Sequence, residues 1–426
     1  MLNSIKINML ILCLLLFPIL ANTQTRISSP YSRYGIGELQ KVRYGQNLGL
    51  SGLSSGFRSN STVNYINSAS YTAFDTTSFV FDVGLNSYFT SLQTDITSEY
   101  HNYTSLAYLL FGFPVTKWWG SSFGLVPYSN VGYKIANAEI KDSIGNINYL
   151  YEGQGGINRF YWGNSFKIFK GLSVGFNASL LFGSLDRIRT AQFTDSAKIY
   201  DAKIKNYTIV NDIQIDLGIQ YERQISSNLN LCIGGTFNIP TKLKSKQNIL
   251  AERLTIGSTG YEVIEDTVYN VTDKKGNITL PANISGGFVL KNNEKWLAGA
   301  DISWQNWANF DSFGIKDSLK NSLQICVAYA YTPSNSSIAP YFKKVQYRTG
   351  IHYDKSYLQL KNTQINEFSI SFGLGFPLKR SKSFINFGIE LGQKGTVKNN
   401  LVKEQYGKIT LGLSIYERWF LRKKYN

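Results

Sequence analysis

Apolar residues recur at every second position through most of this chain. A period of two fits a strand with one apolar and one wet face, and does not fit a helix. Between Phe368 and Phe376, one face carries Phe368, Ile370, Phe372, Leu374 and Phe376, and the other carries Ser369, Ser371, Gly373 and Gly375. The same contrast sets Ile213, Ile215, Leu217 and Ile219 against Asp212, Gln214, Asp216 and Gly218. It recurs with Ile385, Phe387, Ile389 and Leu391 against Asn386, Gly388, Glu390 and Gly392. Carboxylates on the small-residue face are tolerable beside a wet lumen, while the bulky face suits lipid.

Such segments begin near Phe79, Tyr103, Ser122, Asn148, Leu172, Thr208, Leu229, Ile278, Lys295, Leu323, Val345, Ile365, Phe384 and Gly407. They predict an all-β fold, a transmembrane antiparallel β-barrel of about fourteen strands over residues 78–426, the even number that bacterial barrels use. An even count puts both termini on the periplasmic side. Long, charged connections near 186–206 and 241–277 then follow odd-numbered strands and face outward. Short turns such as Phe169-Lys170-Gly171, Ser226-Ser227-Asn228 and Lys291 to Glu294 face the periplasm.

The start of the chain fits export. Lys6 precedes an apolar run from Met9 to Leu20, which reads as a signal peptide over 1–24 with cleavage between Ala21 and Gln24. Cys13 lies inside that run rather than closing it, so lipidation is not expected. No later apolar run reaches the roughly 20 residues of a membrane helix. The formal charge of +16 would usually suggest nucleic acid. In an exported barrel, Lys and Arg instead sit at the rims, where they meet outer-membrane lipid phosphates, and in exposed loops. The basic cluster Arg422-Lys423-Lys424-Tyr425 reads as a solvated tail, and no nucleic-acid partner is expected. Cys232 and Cys326 fall in non-neighbouring strands, which argues against a disulfide.

Residues 25–77 do not alternate cleanly and are rich in Gly, Ser and Asn. Leu48, Leu50, Leu53, Phe57, Tyr65 and Ile66 are too apolar for a solvated arm, so this segment is expected to fold into the barrel mouth as a plug. The chain offers little to catalysis. His101 and His352 are its two histidines, and there is no Cys-x-x-Cys pair, so neither a metal site nor a cofactor is expected. Gly155-Gly156 does not join a buried strand to a helix, and no phosphate-cradling loop follows from it. The expectation is a protein that is not an enzyme. Asp216, Asp301 and Glu390 either ring a polar path or form a solvated inner face paired with Lys or Arg.

In order along the chain, Gly49-Leu50-Ser51-Gly52-Leu53, Val63 to Ser70, Leu280-Pro281-Ala282, Trp296 to Asp301 and Tyr347 to Asp354 resemble the FadL family. These are outer-membrane transporters of long-chain fatty acids and other hydrophobic compounds. The resemblance implies a hatch whose Asn-Pro-Ala motif corresponds here to Asn67, Ser68 and Ala69, with serine in place of proline. It also implies a lateral opening at the third strand, where Pro127 interrupts the pattern. An ordinary rim proline is the other reading of that residue. Transport of a hydrophobic small molecule is the first expectation. PorV-type relatives of the same family imply the alternative, a non-transporting partner in type IX secretion or in outer-membrane assembly machinery. The closing segment, Lys408 to Phe420, reads as the signal that barrel-assembly machinery recognises for insertion.

Overall fold

The computed structural model describes residues 29–40, 43–142, 144–193, 199–256, 261–293, 295–336, 338–379 and 381–419. The expected signal peptide and the basic tail lie outside these residues. Four strands stand apart from the barrel wall: β1 (Glu38–Leu39), β9 (Thr241–Ile256), β10 (Glu262–Leu280) and β13 (Asp311–Ser312). The wall consists of β2 (Ser78–Gln93), β3 (Ser98–Pro114), β4 (Trp119–Lys141), β5 (Gly145–Phe169), β6 (Leu172–Phe193), β7 (Asp201–Ser226), β8 (Leu229–Asn238), β11 (Asn283–Asn292), β12 (Trp296–Gln305), β14 (Ser322–Tyr331), β15 (Gln346–Leu360), β16 (Thr363–Pro377), β17 (Phe384–Gly395) and β18 (Lys403–Arg418). These fourteen strands are antiparallel to their neighbours, and the ring closes where β18 pairs with β2, Ser414 lying opposite Asp82.

Alternation placed most of these strands well. The expected starts at Leu172, Leu229 and Phe384 are the first residues of β6, β8 and β17. Ile278 falls instead in β10, and the wall strand begins at Asn283, beyond the break at Pro281-Ala282. The expected loops need correcting too. Residues 186–193 continue β6, 201–206 open β7, and Thr241–Ile256 with Glu262–Leu280 form the paired β9 and β10, which rise from the wall, β9 pairing with β7 between Asp201 and Val210. These extensions carry closely spaced charges, such as Asp201, Lys203 and Lys205 or Lys242, Lys244 and Lys246, and so lack the long apolar face by which lipid-facing strands are read. Pro240 and Pro281, lacking an N–H, mark where the wall passes into the arm.

The wall is inside out relative to a soluble barrel. On β16, Phe368 and Phe372 are 48% and 54% exposed, whereas Ser369 and Ser371 are buried. On β7, Ile213, Ile215, Leu217 and Ile219 are exposed while Gln214, Asp216 and Gln220 are buried. An apolar outer belt around a polar lumen is the surface of a membrane-spanning barrel. Aromatic residues gather at the end with the short turns, where Phe79 stacks on Trp419 at 4.6 Å and Trp118 lies 6.0 Å from Phe166. That girdle suits the bilayer interface. Phe372→Arg is expected to cost about 2–4 kcal/mol in lipid-vesicle unfolding, as a cation on the lipid face should.

Candidate functional site

The lumen is occupied by the chain's own N-terminal segment. Three apolar clusters fill it among the described residues, two at one end and one at the other. At the short-turn end, Tyr44, Val63, Tyr65, Tyr71 and Phe74 pack against Val80, Tyr108 and Tyr161, with Leu50, Leu53 and Phe57 against Val289 and Leu297. At the arm end, Tyr31 and Ile36 join Trp307, Phe310 and Leu319 against Val131, Leu181, Leu243 and Ile278. A cavity of about 250 Å3 with a mixed lining remains between them, charged at Arg43, Arg159, Asp216, Asp301 and Lys394 and apolar at Val126, Trp307 and Leu358 among others.

The Asn67 side chain makes four hydrogen bonds. It caps a 3-10 turn over Ser68–Ala73, its Oδ1 accepting from Ala69 N at 3.2 Å. Its Nδ2 donates to Ser55 O at 2.7 Å, Ile219 O at 3.1 Å and Gly235 O at 3.3 Å, which ties two parts of the segment to β7 and β8. Ser68 stands at the first position of the turn, where an amide N–H has no intrahelical partner and proline is tolerated. Serine in place of the family proline therefore leaves the turn intact. Ala69 is fully buried, and its carbonyl accepts from Arg58 Nη1 at 3.2 Å. Glycines make the seat: a Cβ on Gly218 would lie 2.3 Å from Asn67 Oδ1, and one on Gly234 would lie 1.8 Å from Ser55 O.

The inner-face carboxylates have distinct partners. Asp216 pairs with Arg159 at 3.4 Å and Glu390 with Arg43 at 3.0 Å. Asp301 accepts instead from main-chain N–H groups, those of Ser54 at 2.6 Å and Ser55 at 2.8 Å, both at Oδ2. Asp82 does the same for Val63 N at 2.7 Å. Lys394 holds Glu38 at 2.6 Å, and Arg348 donates to Leu48 O at 3.4 Å. At the rim, Lys382 holds Asp75 at 2.6 Å. Burial works against the Asp75 carboxylate, yet hydrogen bonds from Lys382, Tyr416 and Asn60 outweigh it and hold its pKa below the usual value. Because one oxygen of Asp301 takes both amide bonds, Asp301→Asn is expected to be mild. Asp301→Leu strands two buried donors and is expected to cost about 3 kcal/mol, read as a lower temperature for the folded-to-unfolded band shift on semi-native gels.

The wall has one parted seam among the described residues. Strands β3 and β4 pair only from Leu109 with Leu125 to Pro114 with Gly120. Each stays paired with its other neighbour well beyond that point. Pro127 lies two residues past the last pair, and a bulge follows where the β4–β5 register shifts between Pro127 and Ser129. Proline has no N–H to donate to a ladder, and Pro127 stands just beyond the point where this pairing ends. A cavity of about 810 Å3 lies in the seam, bounded by Leu106, Tyr108, Leu125 and Val131 together with Gln40 and Arg43 of the N-terminal segment. Strand β1 covers part of it, Glu38 opposite Asn130 and Leu39 opposite Ser129.

Sequence reasoning named Asn67, Ser68, Ala69 and Pro127; it did not name Arg43, Arg159 or Lys394, and it named Arg348 only as part of the stretch Tyr347 to Asp354. A charged residue on the small-residue face of a strand marks the last three as lumenal. Nothing in the spacing of Arg43 points to Glu390. Cys232 and Cys326 are both buried and free. Among the described residues, no three His, Cys, Asp or Glu side chains converge as a metal site would require.

The model of the BamG family matches residues 4–426, nearly the whole chain. The chain belongs to the BamG family. The fold of this BamG-family barrel is that of FadL-like outer-membrane channels. A FadL homologue of Pseudomonas aeruginosa superposes with a TM-score of 0.61 at 12% identity, over 90% of this chain and 100% of that one. The toluene transporter TodX of Pseudomonas putida gives 0.56 at 16% identity, over 91% and 100%. The toluene transporter TbuX of Ralstonia pickettii gives 0.56 at 14%, over 87% and 98%. No curated protein matches the BamG-family chain. At these identities the channels establish the architecture that this BamG-family chain shares with them, and chemistry must be argued from the site.

Proposed function

We propose that this protein is a barrel subunit of outer-membrane barrel-assembly machinery, built on a channel scaffold whose axial route is shut. The observation that carries this reading is the lumen. Residues 29–40 and 43–77 fill it and are bonded to the wall through Asn67, Asp301, Asp82, Arg348 and the Arg43–Glu390 pair. Arg43, Arg159, Asp216, Asp301 and Lys394 reach the space left between the apolar clusters, and a hydrocarbon ligand there would sit against these charges although Val126, Tyr128, Trp307 and Leu358 share the lining. Membership of a family named for barrel assembly supports the same reading. On it, residues 29–40 and 43–77 are the plug, the end of β18 faces the periplasm with the short turns, and the arm of β9 and β10 stands outside the cell, with Ser29 at that outer end of the lumen. Depletion of the protein in its own bacterium tests this. Heat-modifiable, folded forms of unrelated outer-membrane barrels should decline as the protein is lost. Their continued folding at normal levels would contradict it.

The seam favours a second reading, lateral passage of a hydrophobic small molecule such as a long-chain fatty acid between the lumen and the bilayer. Leu106, Tyr108, Leu125 and Val131 give that cavity apolar walls. Two channels of this fold carry the name toluene transporter. Reduced uptake of labelled oleate or toluene by depleted cells, with barrel folding intact, would favour this reading.

A further inference from the structure

We propose that the edge of β4 beyond β1 is a docking site for an extended strand of a partner polypeptide, which pairs with it by main-chain hydrogen bonds. From Tyr133 to Lys141, β4 is paired on one side with β5. Among the described residues no strand pairs with it there on the other side. An unpaired edge is a template for another strand, and β-augmentation uses such edges for recognition.

This edge already binds polypeptide in this molecule. Besides the β1 pairing, Ser29 N donates to Gly132 O at 3.1 Å, Gly132 N donates to Ser32 Oγ at 3.1 Å, and Gln40 N donates to Tyr128 O at 2.9 Å. These bonds show that the main-chain groups of Tyr128 and Gly132 face the seam. The register with β5 is unbroken from Ser129 to Lys141, so every second residue faces the same way: Lys134, Ala136, Ala138 and Ile140. The main-chain groups of Ile135, Asn137 and Glu139 face β5. Residues 136–141 are all exposed. A row of donors and acceptors at two-residue spacing is matched by another strand. An acyl chain has neither donors nor acceptors to offer it.

The alternation supplies a sharp test. Proline at 136 or 138 removes an N–H that faces the seam and leaves the β5 ladder intact, whereas proline at 137 breaks that ladder. Full-length protein carrying a photo-reactive residue at 135, 137 or 139 is cross-linked in native membranes, and the adducts are sequenced by mass spectrometry. The expected result is one contiguous segment of one partner, its cross-linked positions stepping by two residues as the β4 position steps by two. Yield should fall at least tenfold in A136P and A138P, both of which should retain heat-modifiable folding. Should a proline variant fail to fold, the stepping in the unsubstituted background decides. Adducts to lipid alone, adducts scattered over unrelated segments, or yields unchanged in folded A136P and A138P would overturn the proposal. It rests on the assembly reading for the existence of a partner. Stoichiometric co-purification of a partner without stepped cross-links would sink the edge proposal and leave that reading standing.

Discussion

Gly234→Val is expected to expel the N-terminal segment from the lumen while leaving the wall folded. Gly234 lies on β8 directly beneath Ser55, and even a methyl group there would come within 1.8 Å of the Ser55 carbonyl oxygen and 2.5 Å of its carbon. The obstacle is backbone held by Asn67 and Gln220 side chains, so no flexible side chain can move aside. Overpacking of a rigid contact costs about 1–3 kcal/mol even where neighbours yield. Here the loss should extend to the bonds that Asn67 makes to both strands. Protease added to both sides of reconstituted vesicles should cleave between residues 44 and 74 in the variant and spare the native protein. Gly286→Ala is the matched control, because its Cβ would meet nothing closer than Gly234 O at 3.8 Å. Equal protease resistance in G234V and the native protein would mean that the segment is not seated on β8.

The second large effect belongs to Arg43 and Glu390. Both are buried, and their contact at 3.0 Å links the segment to β17, with Ser369 Oγ donating to the same carboxylate at 2.9 Å. Removing one partner leaves a charge in a poorly solvated lumen, a change that costs about 3–5 kcal/mol in buried pairs. Arg43→Met alone should therefore destabilise strongly. Arg43→Met combined with Glu390→Gln should recover much of that loss, because neither charge is then left alone. Urea unfolding of the four members of this cycle in lipid vesicles gives the coupling directly. Additive losses would place the pair in a well-hydrated space instead.

Much of this architecture was legible because a lipid-facing wall obeys one rule. Residues such as Phe368, Ile370 and Phe372 must face outward together, so the period of two survives in the sequence and locates the strand. The arm escaped for the converse reason. On β9 one face is buried at Leu243, Ser245 and Leu254, but the charges of Lys242, Lys244 and Lys246 crowd the other, and β10 from Glu262 to Asn277 is almost wholly exposed, so the charged stretch reads as loop. Pro127 was visible as a break in a strand. The length of the seam was not, since pairing between β3 and β4 is a property of two segments and each looks normal alone. The plug followed the same division. Leu48, Leu50 and Leu53 announced burial, but the bonds from Asp301 to Ser54 and from Arg43 to Glu390 join residues hundreds of positions apart, and no local pattern encodes them.

Native mass spectrometry of the tagged protein, extracted from its own membrane in gentle detergent, tests the central claim most directly. The expected result is a stoichiometric complex with other outer-membrane proteins and no enriched apolar small molecule in the lipid extract. Recovery of a lone barrel carrying a fatty acid or another apolar compound would contradict the assembly role and restore lateral transport as its function.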